Sequence, residues 1–155
     1  MREILFRCKK MDCDEWVEGF YVEAIEYNKK YGFIVENDTK IYPKINLRYK
    51  SLECDIIDVD SSTVGQYTGK TDKNKVKIFE DDIIRANHDG AVGVIRFGEA
   101  VGVYPGNACH VGFYVDWQGE DKDYLRADLG YWASRSDVEV VGNIHDNPEL
   151  LKSRS

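Results

Sequence analysis

The chain of 155 residues is short of several things. It has three prolines, three histidines and two methionines, and only seven leucines and seven alanines. So little Leu and Ala argues against a helical bundle or a coiled coil, which are built from them. No uninterrupted apolar run approaches the roughly 20 residues of a membrane-spanning helix, so no membrane partner is expected. Met1 is followed at once by Arg2 and Glu3, with no apolar leader or small-residue cleavage site. A cytoplasmic location is therefore expected. In that reducing setting Cys8, Cys13, Cys54 and Cys109 read as small hydrophobes rather than disulfides.

What is abundant is β-branched and aromatic. Fifteen Val and twelve Ile are joined by ten Tyr, six Phe and three Trp, side chains that suit a pleated surface. A hydrophobic fraction of 43% is enough for a core. The formal net charge is -7, from 21 Lys and Arg against 28 Asp and Glu. Such a balance disfavours nucleic acid as a partner, though a local basic patch stays compatible with it.

Eleven of the thirteen glycines lie beyond residue 61. This shift places a boundary near Asp60-Ser61-Ser62, giving a first unit at 1–60 and a second at 61–155. In the first, Trp16, Phe20 and Val22 share one face of an alternating run. Tyr31, Phe33 and Val35 do the same in the next, with Asn28-Lys29-Lys30 between them, which predicts a hairpin. Further strands are expected at Ile41-Tyr42 and Ile56–Val59. In the second unit, strands are expected at 76–79, 82–85, 92–97, 111–117 and 138–141. Tyr124, Leu125 and Leu129 have helical spacing that Gly130 should end early. Asn147-Pro148 is a helix-start signal, with Asn as cap.

The segment Gly65-Gln66-Tyr67-Thr68-Gly69-Lys70-Thr71 approaches a phosphate-binding loop, but only three residues separate its glycines where four are needed. The adjoining Asp72-Lys73-Asn74 reads as a turn rather than a helix. Cys8 and Cys13 have no second pair, and Cys109-His110 are adjacent, so no metal site is expected. Glu80-Asp81-Asp82 lies between apolar pairs, and Asp82 there is expected to accept hydrogen bonds from backbone N–H groups rather than catalyse. An enzyme around Asp82 and a histidine is kept as the weakest reading. Tyr42, Lys44, Arg48, Tyr49 and Lys50 form the best basic and aromatic stretch for nucleic acid.

Three segments taken together resemble a known family. They are Val64–Gly69 with Asp72-Lys73-Asn74, then Ile78-Phe79-Glu80-Asp81-Asp82-Ile83-Ile84, then Gly142-Asn143-Ile144-His145-Asp146-Asn147-Pro148-Glu149-Leu150. In this order and spacing they resemble the YopX-like family of small phage and prophage proteins. Ile4-Leu5-Phe6-Arg7 suits that family's start, and the stretch 98–135 is the least matched. The family usually has Gly where this chain has Lys75 and Asp81, and Tyr-Glu where it has His145-Asp146. The resemblance implies a phage-encoded cytoplasmic protein, with no activity or catalytic residue to carry over.

The motif residues Gln66, Thr68, Gly69, Asp72, Asn74, Asp82 and Asn143 are read as structural. Asp72 can bond the backbone two residues on, Asn74 tolerates the left-handed conformation, and Gly142-Asn143 allows a bend. The expected fold is mainly β, all-β or α+β, with two small curled sheets or barrels, the second SH3-like, and short helices. The expected function is non-enzymatic protein binding, to a host or phage protein, with self-association to cover strand edges. A nucleic-acid-binding module is the alternative. No cofactor and no metal are expected.

Overall fold

The computed structural model describes residues 3–26, 29–36, 56–100, 110–119 and 126–152. The protein is mainly β. It divides into two compact units, Met1–Gln66 and Tyr67–Ser155.

The first unit holds β1 (Phe6–Lys10), β2 (Trp16–Glu26), β3 (Lys29–Glu36) and most of β4 (Ile56–Thr71). All pairings are antiparallel, in the order β1-β2-β3-β4, and β1 also pairs with β4, so the sheet closes on itself. The hairpin of β2 and β3 sets Phe20 opposite Val35 and Val22 opposite Phe33. The buried side is the other one, where Cys8, Val17, Ile34 and Val59 form the core. On the outward side Phe20 is exposed, and the Arg7 guanidinium lies 4.8 Å from the centre of the Trp16 ring. Both faces of β2 are apolar, so alternation alone does not say which is inward. The strand expected at Ile41-Tyr42 and the stretch Tyr42 to Lys50 lie outside the described residues, as do Cys54 and Cys109.

The sequence boundary at Asp60-Ser61-Ser62 falls inside β4. These polar residues build a bulge in that strand. The Thr63 hydroxyl donates to the Asp60 carbonyl at 2.7 Å, and the Lys9 N–H donates to Thr63 Oγ1 at 2.9 Å. Asp60 Oδ1 accepts the Ser62 N–H and hydroxyl. The bulge absorbs the register shift between Arg7 and Lys9 on β1.

The second unit begins with the end of β4, where Tyr67 and Thr71 pair with β5 (Lys77–Phe79). Beyond it lies a four-stranded antiparallel sheet in the order β8-β7-β6-β9, from β6 (Asp82–Ala86), β7 (Val92–Ala100), β8 (His110–Trp117) and β9 (Val138–Asn143). Its core contains Ile78, Ile84, Ile95, Val115, Trp117, Leu129, Trp132 and Val138. Helix α1 (Leu129–Ser134) starts at Leu129 and carries Gly130 within it, so that glycine does not end it. Tertiary anchoring overrides its helix propensity. The indole N–H groups of Trp117 and Trp132 both donate to the Arg126 carbonyl, at 2.8 and 2.7 Å. Their rings meet edge to face with centroids 5.1 Å apart. The last element among the described residues is a 3₁₀ turn, Pro148–Leu151. Asn147 stands at its cap position but makes no side-chain cap bond there.

Among the described residues, three non-glycine residues have left-handed backbone: Lys75 (φ 67°), Asp81 (66°) and Ser136 (55°). The first two are the positions where the family usually has glycine. Asn74 suits this conformation by residue type, but the turn assigns it to Lys75 instead. On the β7–β8 ribbon, Gly98 stands directly opposite Gly112, and both have positive φ, 148° and 145°.

Lys75→Gly relieves a Cβ-bearing residue of left-handed strain on an exposed turn, so it should stabilise the protein by about 1 kcal/mol in thermal or urea unfolding. A second expectation concerns Cys8. Burial, with the Asp60 charge adding to it, pushes its thiol up from 9.0 to about 12. Between those values the unfolded thiol loses its proton while the folded one keeps it, so stability falls as pH rises from about 9. Urea unfolding under reducing conditions should show the advantage of wild type over Cys8→Ala constant at neutral pH. That advantage should shrink by about 1.4 kcal/mol per pH unit above 9.

Candidate functional site

Thr68, Asp72, Asp82 and Asn143 are buried, so the motif residues account for most of the buried polar side chains among the described residues. Each satisfies backbone groups. The Thr68 hydroxyl donates to the Ile78 carbonyl at 2.8 Å and accepts the Lys70 N–H at 3.2 Å. Gly69, at φ 79°, lets β4 shift register against β5 between Tyr67 and Thr71. Asp72 Oδ1 accepts the N–H groups of Asn74 and Val76, at 2.7 and 2.9 Å, and Oδ2 accepts that of Val140 at 3.0 Å. Asp82 Oδ2 accepts the Phe79 N–H at 2.7 Å across the β5–β6 turn. Asn143 Oδ1 accepts the N–H groups of His145 and Asp146, and its amide donates to the Asp146 carboxylate.

The structure brings Asp82 and Asn143 together as opposed residues of β6 and β9. Asp72 and Asn74 share a turn that reaches β9, where the Asn74 amide lies 3.4 Å from Glu139 Oε1. Gln66, the last residue of the first unit, pairs with Phe6. Gly142 is held tightly, because a Cβ there would lie 2.5 Å from Asn147 Oδ1. The segment Gly65–Thr71 lies in a strand and leads into a turn, with no helix behind it.

Sequence spacing gives no sign of a second grouping. The side chain of Asp81, not Asp82, meets a histidine: His145 Nε2 is 3.4 Å from Asp81 Oδ2. Arg96 pairs with the other carboxylate oxygen. The Asp81 carbonyl accepts the Ile144 N–H at 3.0 Å, and its N–H donates to the Ile95 carbonyl at 2.9 Å. Asp81 therefore ties the β5–β6 turn, β7 and the turn after β9 to one another. Its charge is taken up by the pairing, so the cluster reads as a joint rather than a reactive centre. His88 lies elsewhere, stacked on the Trp132 ring at 5.5 Å. Among the described residues, no group of three His, Cys, Asp or Glu could hold a metal ion, and no helix is long and apolar enough to cross a membrane.

A third feature lies on the surface. Along β7 and β8 the rung Ile95–Val115 is buried, while the next rungs on that face are Phe97–Phe113 and Glu99–Val111. Phe97 is 60% exposed and Val111 73% exposed. Phe97 and Phe113 meet edge to face, with centroids 5.1 Å apart. The sequence gives Phe97 and Val111 the same alternation as core residues, and only the length of the ribbon beyond the core separates them.

These features define a small antiparallel β protein of two units whose motif residues hold its turns and strand ends. The YopX protein family profile matches residues 5–152, nearly the whole chain, and the chain belongs to that family. No curated protein matches it. Among solved structures it is similar to protein EF1440 from Enterococcus faecalis, at 24% identity and a TM-score of 0.50. The match covers 98% of this chain and 100% of that one, a likeness of fold.

Asp72→Ala leaves three backbone N–H groups without their acceptor, so it should cost at least about 3 kcal/mol in urea unfolding. Asp146→Ala, on an exposed residue, should cost less than about 1 kcal/mol.

Proposed function

We propose that the chain is a phage- or prophage-encoded cytoplasmic accessory protein that acts by binding another protein, without catalysis. The observation that carries this reading is the outer part of the β7–β8 ribbon. There Phe97 and Val111 are exposed on the face that, one rung inward, forms the core. Exposed aromatic and aliphatic side chains on a regular strand pair make a rigid, low-entropy contact surface, and aromatic anchors dominate protein interfaces. The partner is a host or phage protein, and the same surface serves self-association. The second unit, with its short strands and one short helix before the last strand, is read as an SH3-like barrel.

The test is the double variant Phe97→Asp with Val111→Asp. Its melting temperature should stay close to wild type, because both residues lie outside the core. The wild type should associate with increasing concentration in sedimentation velocity and should retain a specific protein from host or phage lysate. The variant should weaken both by roughly 30-fold, the scale of losing an interface anchor. A wild type that stays monomeric and captures nothing the variant does not would overturn the proposal.

A further inference from the structure

We propose that the corner between β4 and β5 is a contact site for nucleic-acid phosphates, separate from the apolar ribbon. Residues 70–77 read Lys-Thr-Asp-Lys-Asn-Lys-Val-Lys, four lysines in eight positions of a chain whose net charge is -7. Lys70, Lys73 and Lys75 are exposed. The one acid of the segment, Asp72, is buried, with its carboxylate turned onto three backbone N–H groups. Lys73 is partly neutralised by Glu139 at 2.7 Å and also donates to Asn87 Oδ1. Lys70 and Lys75 have no ion-pair partner among the described residues. Lys77 lies over the Tyr67 ring at 5.5 Å.

The overall negative charge does not cancel this patch. At physiological ionic strength charges are screened over about 8 Å, so a phosphate at the corner senses the local lysines more than the distant carboxylates. The chemistry favours a nucleic-acid backbone over a protein. Protein interface cores are depleted in Lys and enriched in Arg and aromatics, and this corner has no Arg. Lys binds phosphate as a point charge on a flexible stem. Tyr67 is 8% exposed beneath Lys77, so it offers no stacking platform for bases. The site therefore contacts phosphates independently of sequence. Its place supports a separate role. The Lys73 N–H donates to the Val138 carbonyl and the Val140 N–H to Asp72, so the corner lies along β9. The apolar ribbon belongs to β8 and β7, at the opposite edge of that sheet.

The experiment is fluorescence anisotropy of a labelled mixed-sequence 20-base-pair duplex with the full-length chain. With two phosphate contacts, from Lys70 and Lys75, affinity should fall roughly 12-fold between 50 and 200 mM salt. Lys70→Gln with Lys75→Gln should bind more weakly at low salt, and its affinity should change little over the same range. Lys152→Gln, a surface control, should behave as wild type, and all three proteins should melt alike. Absence of wild-type binding at 50 mM salt would overturn the proposal, and so would a double variant with an undiminished salt dependence. Polyglutamate that displaces the duplex as well as unlabelled duplex does would instead assign the corner to acidic protein segments and overturn the nucleic-acid assignment.

Discussion

The second unit depends on one carboxylate. Asp72 is buried, and a buried charge is tolerated only when donors replace its water. Here the donors are the N–H groups of Asn74, Val76 and Val140. Two of them shape the turn, and the third fastens that turn to a strand 68 positions later in sequence. The same contact covers part of the outer side of β9, which would otherwise present open hydrogen-bonding groups as a sheet edge. Because the carboxylate faces inward, the charges that the turn itself presents at the surface are lysines, with Glu139 beside Lys73. Turn geometry, edge protection and surface charge thus share a single cause.

Asp81 plays a comparable part at the other turn, through its backbone as much as its side chain. Its left-handed conformation lets the N–H reach Ile95 and the carbonyl reach Ile144. A glycine would meet the backbone requirement more cheaply but would lose the pairing with Arg96 and His145. The aspartate therefore exchanges conformational ease for a charged joint among three elements.

Much of this is legible in the residues. Turn-forming Asp, Asn and Gly between β-branched runs locate the strands, because side-chain-to-backbone bonds are local and leave local signatures. Asp72 with Asn74, and Asp82 with Phe79, are of this kind. What is illegible is long-range. Asp81, Arg96 and His145 meet only because β7 and the turn after β9 return to the β5–β6 turn. Asp60-Ser61-Ser62 reads as a unit boundary, and nothing local shows that these polar residues instead bond one another into a bulge within a strand. Trp16, Phe20 and Val22 give a correct face but not its direction, because Val17 on the other side is also apolar. Gly130 resembles a helix end, but the contacts that hold α1 come from Leu129 and Trp132.

The facing pair Gly98 and Gly112 thins one face of the β7–β8 ribbon and leaves the other whole. On the thinned face no side chains stand between the rung of Arg96 with Tyr114 and the rung of Ala100 with His110, whereas on the other face Phe97 with Phe113 and Glu99 with Val111 follow one another without a break. Cross-strand side-chain contacts are what make neighbouring rungs open together. Because the layer is missing from one face only, the outer rung of Glu99 with Val111 stays coupled to the core through Phe97 and Phe113. The two faces of one strand pair thus differ in how far their side-chain ladders run unbroken.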